Sequence, residues 1–459
     1  MAGSRAPRSN PLLFAGKIGL IVLLAVVVVY LVLLSELRSS LQWHLNRLYA
    51  AGVPRTWAEV APPPIPDKDN AAIRYQRAFH ELRVAPGDLA TLDSFLDDKP
   101  PGSRVTLFEQ TRRILIHNQA ALSLVKQGAA APECRFPLHW EQSPVVVVFP
   151  QFGPLRTCAK LLAVDAIVAA HEGDSDQALK SCLAQFRLAQ HSVSDPCFFS
   201  FKLSGVGARR VPFTRALERA HIDAKTCARL YVELQRLDFQ TPFIRATATE
   251  GSMILGHFDA AERNEPALRD EIEPLPDDFR LGHAFLGLYL SPLGKPLRLK
   301  EEIACAAMIE RMVELARQPY REAAPAYAAL DDMTDSIPRY HLITSATFGF
   351  HSKLPIHRDR IVTFRNAMQV ALALKAYHAQ RGGYPDSLRA LRAYPGGASA
   401  APEMRQRRIQ GWKLPEDPFS GKDFGYRRKG AGFVLYSWGE DLRDNGGKPD
   451  RDVVWEFER

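Results

Sequence analysis

One stretch limits what this chain can fold into. Ile18 to Leu34, IGLIVLLAVVVVYLVLL, is an uninterrupted run with no ionised side chain. As a helix it spans ~26 Å at ~1.5 Å per residue, and its flanks extend it to bilayer thickness. The preceding residues 1–17 are polar and basic, with Arg5, Arg8 and Lys17 and no acid. A cleaved signal peptide would carry a shorter apolar core with a small-x-small site just after it. Here the run is long and SELRSSLQW follows, without such a site. The run therefore reads as an uncleaved anchor over residues 18–35, with the lipid bilayer as its partner. Positive charge ahead of the run keeps the N-terminus in the cytoplasm. The expectation is a single-pass bacterial inner-membrane protein, with the bulk of the chain extracytoplasmic.

The 459 residues leave room for two or three domains beyond the anchor, and 46% hydrophobic with 24% charged residues is ordinary globular composition. The net charge of +8 is spread over scattered Lys and Arg. No dense basic block is present and aromatics are not interleaved with bases, so no nucleic-acid partner is expected. The six cysteines form no CxxC pair, which removes zinc-finger spacing. Cys158, Cys182 and Cys227 fall on apolar helical positions and read as buried thiols. Cys134 and Cys197 lie in irregular segments and are the better disulfide candidates.

The middle of the chain reads as almost wholly helical. Residues 36–69 comprise a helical stretch with Leu37, Leu41, Leu45 and Leu48 at helical spacing, then the stiff Pro-rich linker APPPIPDKD. Residues 70–345 form the expected α-helical domain. Helices are expected from Asn70, over Phe108–Lys126, Lys202–Ala220, Ala224–Leu237, Pro242–Asn264 and Lys300–Leu330. Val145 to Phe149 is apolar but too short for periodicity to decide between a strand and a buried extended piece. Leu155 to Gln190 is the clearest hairpin. Its stripe is Leu155, Cys158, Leu162 and Ala169; Gly173 suits the left-handed cap, and Asp174 or Ser175 can cap the second helix. This unit resembles one tetratricopeptide-type repeat over ~35 residues, but it does not recur.

Residues 356–459 change character. Arg358 to Gln380 carries a strong helical stripe and ends at Gly382-Gly383, followed by Tyr384-Pro385-Asp386. A Pro-bounded turn follows at Pro415 to Pro418. A two-strand pattern covers Phe424–Arg428 and Phe433–Ser437, and the chain then enters an acidic, Gly-rich loop with Asp441, Asp444, Asp450 and Asp452. In this order, ALKAYHAQRGGYPDSLRAL, LPEDPFSGKDFGYRR and FVLYSWGEDLRDNGG resemble the globular part of a type II secretion major pseudopilin. The resemblance covers about Arg358 to Trp455, roughly a fifth of the chain. The matching residues are Tyr384, Pro385, Asp417, Pro418, Tyr426, Tyr436, Ser437, Gly439 and Asp441.

That resemblance implies calcium in the acidic loop. Asp441 matches the Asp of the Ser-x-Gly-x-Asp signature, and Asp452 the second Asp of the family's closing pair. Arg451 stands where the first would be, and Asp450 takes its place by a change of register. A backbone carbonyl at Trp438 matches another family ligand. From the residues themselves, Asp441, Asp444, Asn445, Asp450 and Asp452 supply the hard oxygens calcium wants, and Gly446 and Gly447 let the backbone turn its carbonyls inward. The bland alternative is an acidic surface loop neutralised by Arg443, Lys448 and Arg451. The N-terminal run lacks the Glu and the cleavage pattern of pseudopilins, and roughly 300 residues separate it from the resembling module.

Catalytic motifs are thin. His171 sits in HEGD at a turn, not in HExxH; Ser123 to Lys126 matches SxxK without its companion motifs; Glu250 and His257 are two turns apart on one helix. The sequence thus predicts a mainly α protein: a transmembrane helix, an α-helical extracytoplasmic domain, and a small α+β module with a short antiparallel sheet. Its leading role is that of a non-enzymatic envelope protein, structural or adaptor-like, linked to secretion or surface assembly through envelope protein partners. The alternatives are an envelope hydrolase with clustered buried His, Glu and Asp facing a cleft, and a lipid- or peptide-binding helical domain with a large apolar cavity.

Overall fold

A computed structural model describes residues 11–96, 104–143, 145, 148–197, 210–219, 222–272, 282–338, 340–348, 353–392 and 412–458. The apolar run lies within α1 (Pro11–Ala50), one continuous helix that ends where Gly52 turns back at φ +94°. Lys17–Ala50 is the one helix among the described residues long and apolar enough to cross a membrane. After it come α2 (Ala71–Glu81), α3 (Pro86–Leu96), α4 (Arg104–His117), α5 (Gln119–Ala129), α6 (Phe152–Glu172) and α7 (Ser175–Ser192). Then follow α8 (Arg210–Arg219), α9 (Ala224–Gln235), α10 (Gln240–Glu262), α11 (Pro266–Ile272), α12 (Gly282–Leu290), α13 (Lys295–Ala316), α14 (Tyr320–Asp335) and α15 (Leu342–Thr347). The chain closes with α16 (Leu354–Arg381), α17 (Leu388–Arg392) and strands β1 (Gly425–Lys429), β2 (Gly432–Ser437) and β3 (Val453–Phe457).

The strongest local signals place elements as expected. Asn70 caps α2 by accepting from Ala72 N at 3.1 Å. Gly173 at φ +85° ends α6, and the Asp174 carboxylate accepts from Gln177 N at 2.9 Å to start α7. Gly382 at φ +76° ends α16.

Long-range contacts override the pattern elsewhere. The helix expected over Phe108–Lys126 is broken at Asn118. That side chain is buried, donating to Ile114 O and Arg83 O and accepting from Arg83 N at 2.8 Å, so it serves a loop 35 positions away instead of continuing the helix. The helix expected over Lys300–Leu330 is two, α13 and α14, separated at Pro319, which cannot donate to the ladder. Val146 and Val147 of the apolar run at Val145–Phe149 lie outside the described residues; Val148 is exposed. Cys134 and Cys197, the disulfide candidates, are both free. All six cysteines are free and buried, and burial pushes the Cys134 thiol well above its ordinary value.

Two apolar cores organise the helices. One gathers α2 to α6 around Tyr75, Leu92, Leu122 and Leu161. The larger runs from Leu48 through α7, α9, α10 and α13 to α16 and the sheet, so the C-terminal strands and the central helices share one interior. β2 is the central strand, antiparallel to both neighbours, with Phe433 opposite Phe457 and Leu435 opposite Trp455. Trp455 also meets Phe364 of α16 edge to face at 5.8 Å. Fully burying aromatics of this size contributes roughly 1.5–3 kcal/mol each. Across the seam, Tyr231 of α9 donates to Lys413 O, and Asn366 of α16 donates to Glu416 O at 2.8 Å. Beyond its apolar run, α1 lies along α13, with Arg47 paired to Glu310 and Arg317 donating to Ala51 O at 2.6 Å.

Candidate functional site

The motif residues of the C-terminal module hold one another. Tyr426 of β1 donates its hydroxyl to Pro385 O at 2.6 Å, joining the strand to the turn that follows α16. The Tyr384 ring packs between His378 and Phe433, at 4.5 and 4.8 Å between centroids. Asp417 is fully buried at the Pro-bounded turn. Its carboxylate accepts from Phe419 N at 3.2 Å and Ser420 N at 3.1 Å within the turn. It also accepts from Ser437 Oγ at 2.6 Å and Trp438 N at 3.3 Å, where β2 runs into the acidic loop. One side chain thus pins the turn to the root of the loop. Buried carboxylates need such donors, because an unpaired charge there costs several kcal/mol.

The loop leaves β2 through Gly439 at φ +73° and returns into β3 after Asp452. Asp452 is buried; its Oδ2 accepts from Gly447 N at 2.6 Å and its Oδ1 from Asn445 N at 3.3 Å. Gly447 sits at φ +74° against the Tyr436 ring, where a Cβ would come within 2.9 Å of the ring. Only glycine suits that approach. Asp441 is exposed and accepts from Arg443 N at 3.0 Å. Leu442 between them adopts φ +59°, a conformation uncommon for a side-chain-bearing residue and held here by the surrounding bonds.

The Asn445 amide brings two of the predicted ligands, Asp441 and Asp452, together. Its Nδ2 lies 3.1 Å from Asp441 Oδ2, 3.2 Å from Asp452 Oδ1 and 3.2 Å from Arg443 O. Three oxygens therefore converge on one point, where an N–H group stands in for positive charge. Turned about its amide axis, Asn445 presents an oxygen instead. This donor set, two carboxylates with a carbonyl and an amide, fits the hard-oxygen chemistry of calcium. The other candidates lie apart from it. Asp444 faces outward, accepting from Gly446 N at 2.9 Å and from the Tyr436 hydroxyl at 3.3 Å. Burial first, then that carboxylate, raise the Tyr436 phenol. Asp450 is exposed beside Arg451, and Trp438 is positioned through its N–H on Asp417. Among the described residues, no three His, Cys, Asp or Glu side chains group to hold a metal.

Residues 362–456 match the family model of the type II secretion system (T2SS), protein G. This is the major-pseudopilin family that the motifs resemble, and the match spans α16, the Asp417 turn, the sheet and the acidic loop. No curated protein and no solved structure matches the chain significantly. Within this protein G-type module, sequence reasoning missed the pinning role of Asp417 and the Arg443 carbonyl. The signal for Asp417 was its place in a Pro-flanked turn, with Tyr436-Ser437 twenty residues on.

Outside the module, the scattered catalytic candidates are separately engaged. Lys126 of the SxxK stretch pairs with Asp165 at 2.8 Å, while the Ser123 hydroxyl accepts from Gln127 at 3.3 Å. His257 faces Glu271 at 3.2 Å, not Glu250. His171 packs on Phe108. His191 and Asp195 are buried: His191 meets the Tyr75 hydroxyl at 2.8 Å, and Gln151 donates to Asp195 at 2.8 Å. Burial lowers His191 to about 4 and raises Asp195 to about 7, as expected of groups held away from water. A cavity of about 450 Å³ beside α10 mixes Trp57, Trp140 and Leu255 with Arg55, Asp259, Arg263 and Glu302. Burial, with the nearby Asp259, raises Glu302 to about 8.

Proposed function

We propose that this chain is a non-enzymatic, single-pass envelope protein of the bacterial inner membrane. Residues 18–35 anchor it with the N-terminus in the cytoplasm. The protein G-type module serves as an extracytoplasmic head, structural or adaptor-like, in type II secretion or surface assembly. The observation that carries this reading is the family match at 362–456, at the opposite end of the chain from the one helix among the described residues long and apolar enough to cross a membrane. The shared core between module and central helices supports it further, since a head built into the body is presented at a fixed place. Calcium held by Asp441, Asp452, Asn445 and the carbonyls of Arg443 and Trp438 would cross-link the two limbs of the loop, with Asp444 and Asp450 at its margin.

Three measurements test these parts separately. A C-terminal reporter active only outside the cytoplasm is expected to be active; a cytoplasmic signal overturns the topology. Deleting the gene in its host is expected to reduce type II cargo in the medium, with recovery on restoring the full chain; unchanged export overturns the secretion role. Thermal melts of the detergent-solubilised full chain are expected to rise by several degrees with calcium over chelator, following mass-action stabilisation. Asp441→Ala is expected to abolish that rise, and a flat response of the unsubstituted chain overturns the calcium site.

A further inference from the structure

We infer that α12 and the turn after it form a second membrane contact, an apolar tip that dips into the same bilayer that α1 crosses. The inference rests on the anchor reading of residues 18–35 and extends it to a surface some 260 positions away. Its starting point is orientation. Three ties align α1 and α13 in the same direction. The Tyr30 hydroxyl donates to Pro292 O at 2.8 Å, Arg47 pairs with Glu310, and Ala51 O accepts from Arg317. Tyr30 lies inside the apolar run, four residues before Leu34, or about 6 Å along the helix. Pro292 is therefore held at the depth of the membrane-spanning segment, and α13 leads away from it.

The segment at that level is chemically suited to lipid. Ala284 to Gly294 reads AFLGLYLSPLG, without a carboxylate or a cation. Leu293 is 72% exposed and Leu288 45% exposed, with Pro292 exposed between them. Tyr289, the phenol in the stretch, turns inward and donates to the buried Glu301 at 2.6 Å. Charge returns one residue later, and there it is paired: Lys295 lies 2.5 Å and Arg298 2.9 Å from the Glu262 carboxylate. An apolar tip backed by a polar rim is the arrangement of groups seated at the headgroup boundary.

The tip is also rigid. Arg298 is buried and donates to Tyr289 O and to Ser291 O, and the Ser291 hydroxyl donates to Leu288 O at 2.7 Å. A Cβ on Gly294 would lie 2.3 Å from Leu288 O, so the turn closes too tightly for any other residue. Several bonds thus hold Leu288 and Leu293 outward. For water alone this is an unfavourable presentation; at a bilayer continuous with α1 it buries both side chains. Two separated contacts would also fix the rotation of the body about the α1 axis, which one helix cannot do.

The test uses the full chain in vesicles of zwitterionic and anionic phospholipid, with a polarity-sensitive fluorophore on one introduced cysteine at a time. The positions are Leu293→Cys, Leu288→Cys, Val26→Cys within the span, and Arg311→Cys, about 24 Å further along α13 than Lys295. The native cysteines are buried, and the unsubstituted chain sets the labelling background. Expected are blue-shifted emission and loss of fluorescence to acyl-chain nitroxide quenchers at Val26, Leu288 and Leu293, with neither at Arg311. Quenching at Val26 with Leu288 and Leu293 behaving like Arg311 overturns the second contact and leaves the anchor standing. No quenching at Val26 overturns the anchor and the inference with it. Equal quenching at all four positions overturns the orientation on which the inference depends.

Discussion

The turn around Asp417 and the loop from Gly439 to Asp452 are both acidic, both glycine-bearing, and adjacent in space, yet they are built in opposite ways. Asp417 is sealed and receives four donors from two segments, so every lone pair it must satisfy is met by the protein itself. Of the loop's acids only Asp452 is buried, and Asp441 reaches it through a single amide. The first arrangement has no use for a cation. The second leaves oxygens converging on a site filled by one N–H group. Carboxylate count along the sequence therefore points to the loop for chemistry, while donor count in space points to the turn for stability.

That contrast is broken most sharply at Asp417. Asp417→Ala leaves the Ser437 hydroxyl and the Phe419 and Trp438 N–H groups without their acceptor. Urea unfolding of the full chain is expected to show a loss of about 3 kcal/mol, the scale for charged hydrogen bonds stripped from a buried site. Asp417→Asn retains one oxygen and is expected to lose less. The loss is expected to be the same with calcium and with chelator; a calcium-dependent loss would make the turn part of the metal site and dissolve the distinction.

Asp452→Ala comes next. In chelator it removes acceptors from Gly447 N and Asn445, and a loss of about 2 kcal/mol is expected. With calcium present the gap from the unsubstituted chain is expected to widen, because the bound ion stabilises only the chain that retains the carboxylate. Equal losses in both conditions would mean that Asp452 closes the loop in the same manner as Asp417 pins the turn, with no role for an ion.

Legibility follows the same division between near and far. The cap at Gly173-Asp174, the end of α16 at Gly382 and the apolar run in α1 are local events, and each could be read from a few neighbouring residues. β3 could not. Val453–Phe457 is only a five-residue run behind a Gly-rich loop, and what makes it a strand is Phe433 and Leu435 across the sheet. Asn118 interrupts a helix for the sake of Arg83, and Asp417 binds donors twenty residues ahead. In the candidate site, composition identified the acids. Only the fold separated Asp441 and Asp452, joined through Asn445, from Asp444, which turns to Tyr436.

The smallest expected effect sharpens that separation. Asp450 has a side chain 79% exposed, and its nearest cation, Arg451 Nε, stands 4.0 Å away. An exposed pair at that separation contributes about 0–0.5 kcal/mol, so Asp450→Ala is expected to leave the chelator melt essentially unchanged. By the resemblance, Arg451 and Asp452 stand where the family has its closing acid pair, and a ligand role for Asp450 requires the register between Lys448 and Asp452 to change. That register is held by the N–H groups of Arg451 and Asp452, which donate to Lys448 O at 3.0 and 2.8 Å. If this turn persists when calcium binds, Asp450→Ala keeps the full calcium-induced rise in melting temperature that Asp441→Ala loses. If Asp450→Ala loses that rise as well, the turn opens on metal binding, and the loop owes its final shape to the ion.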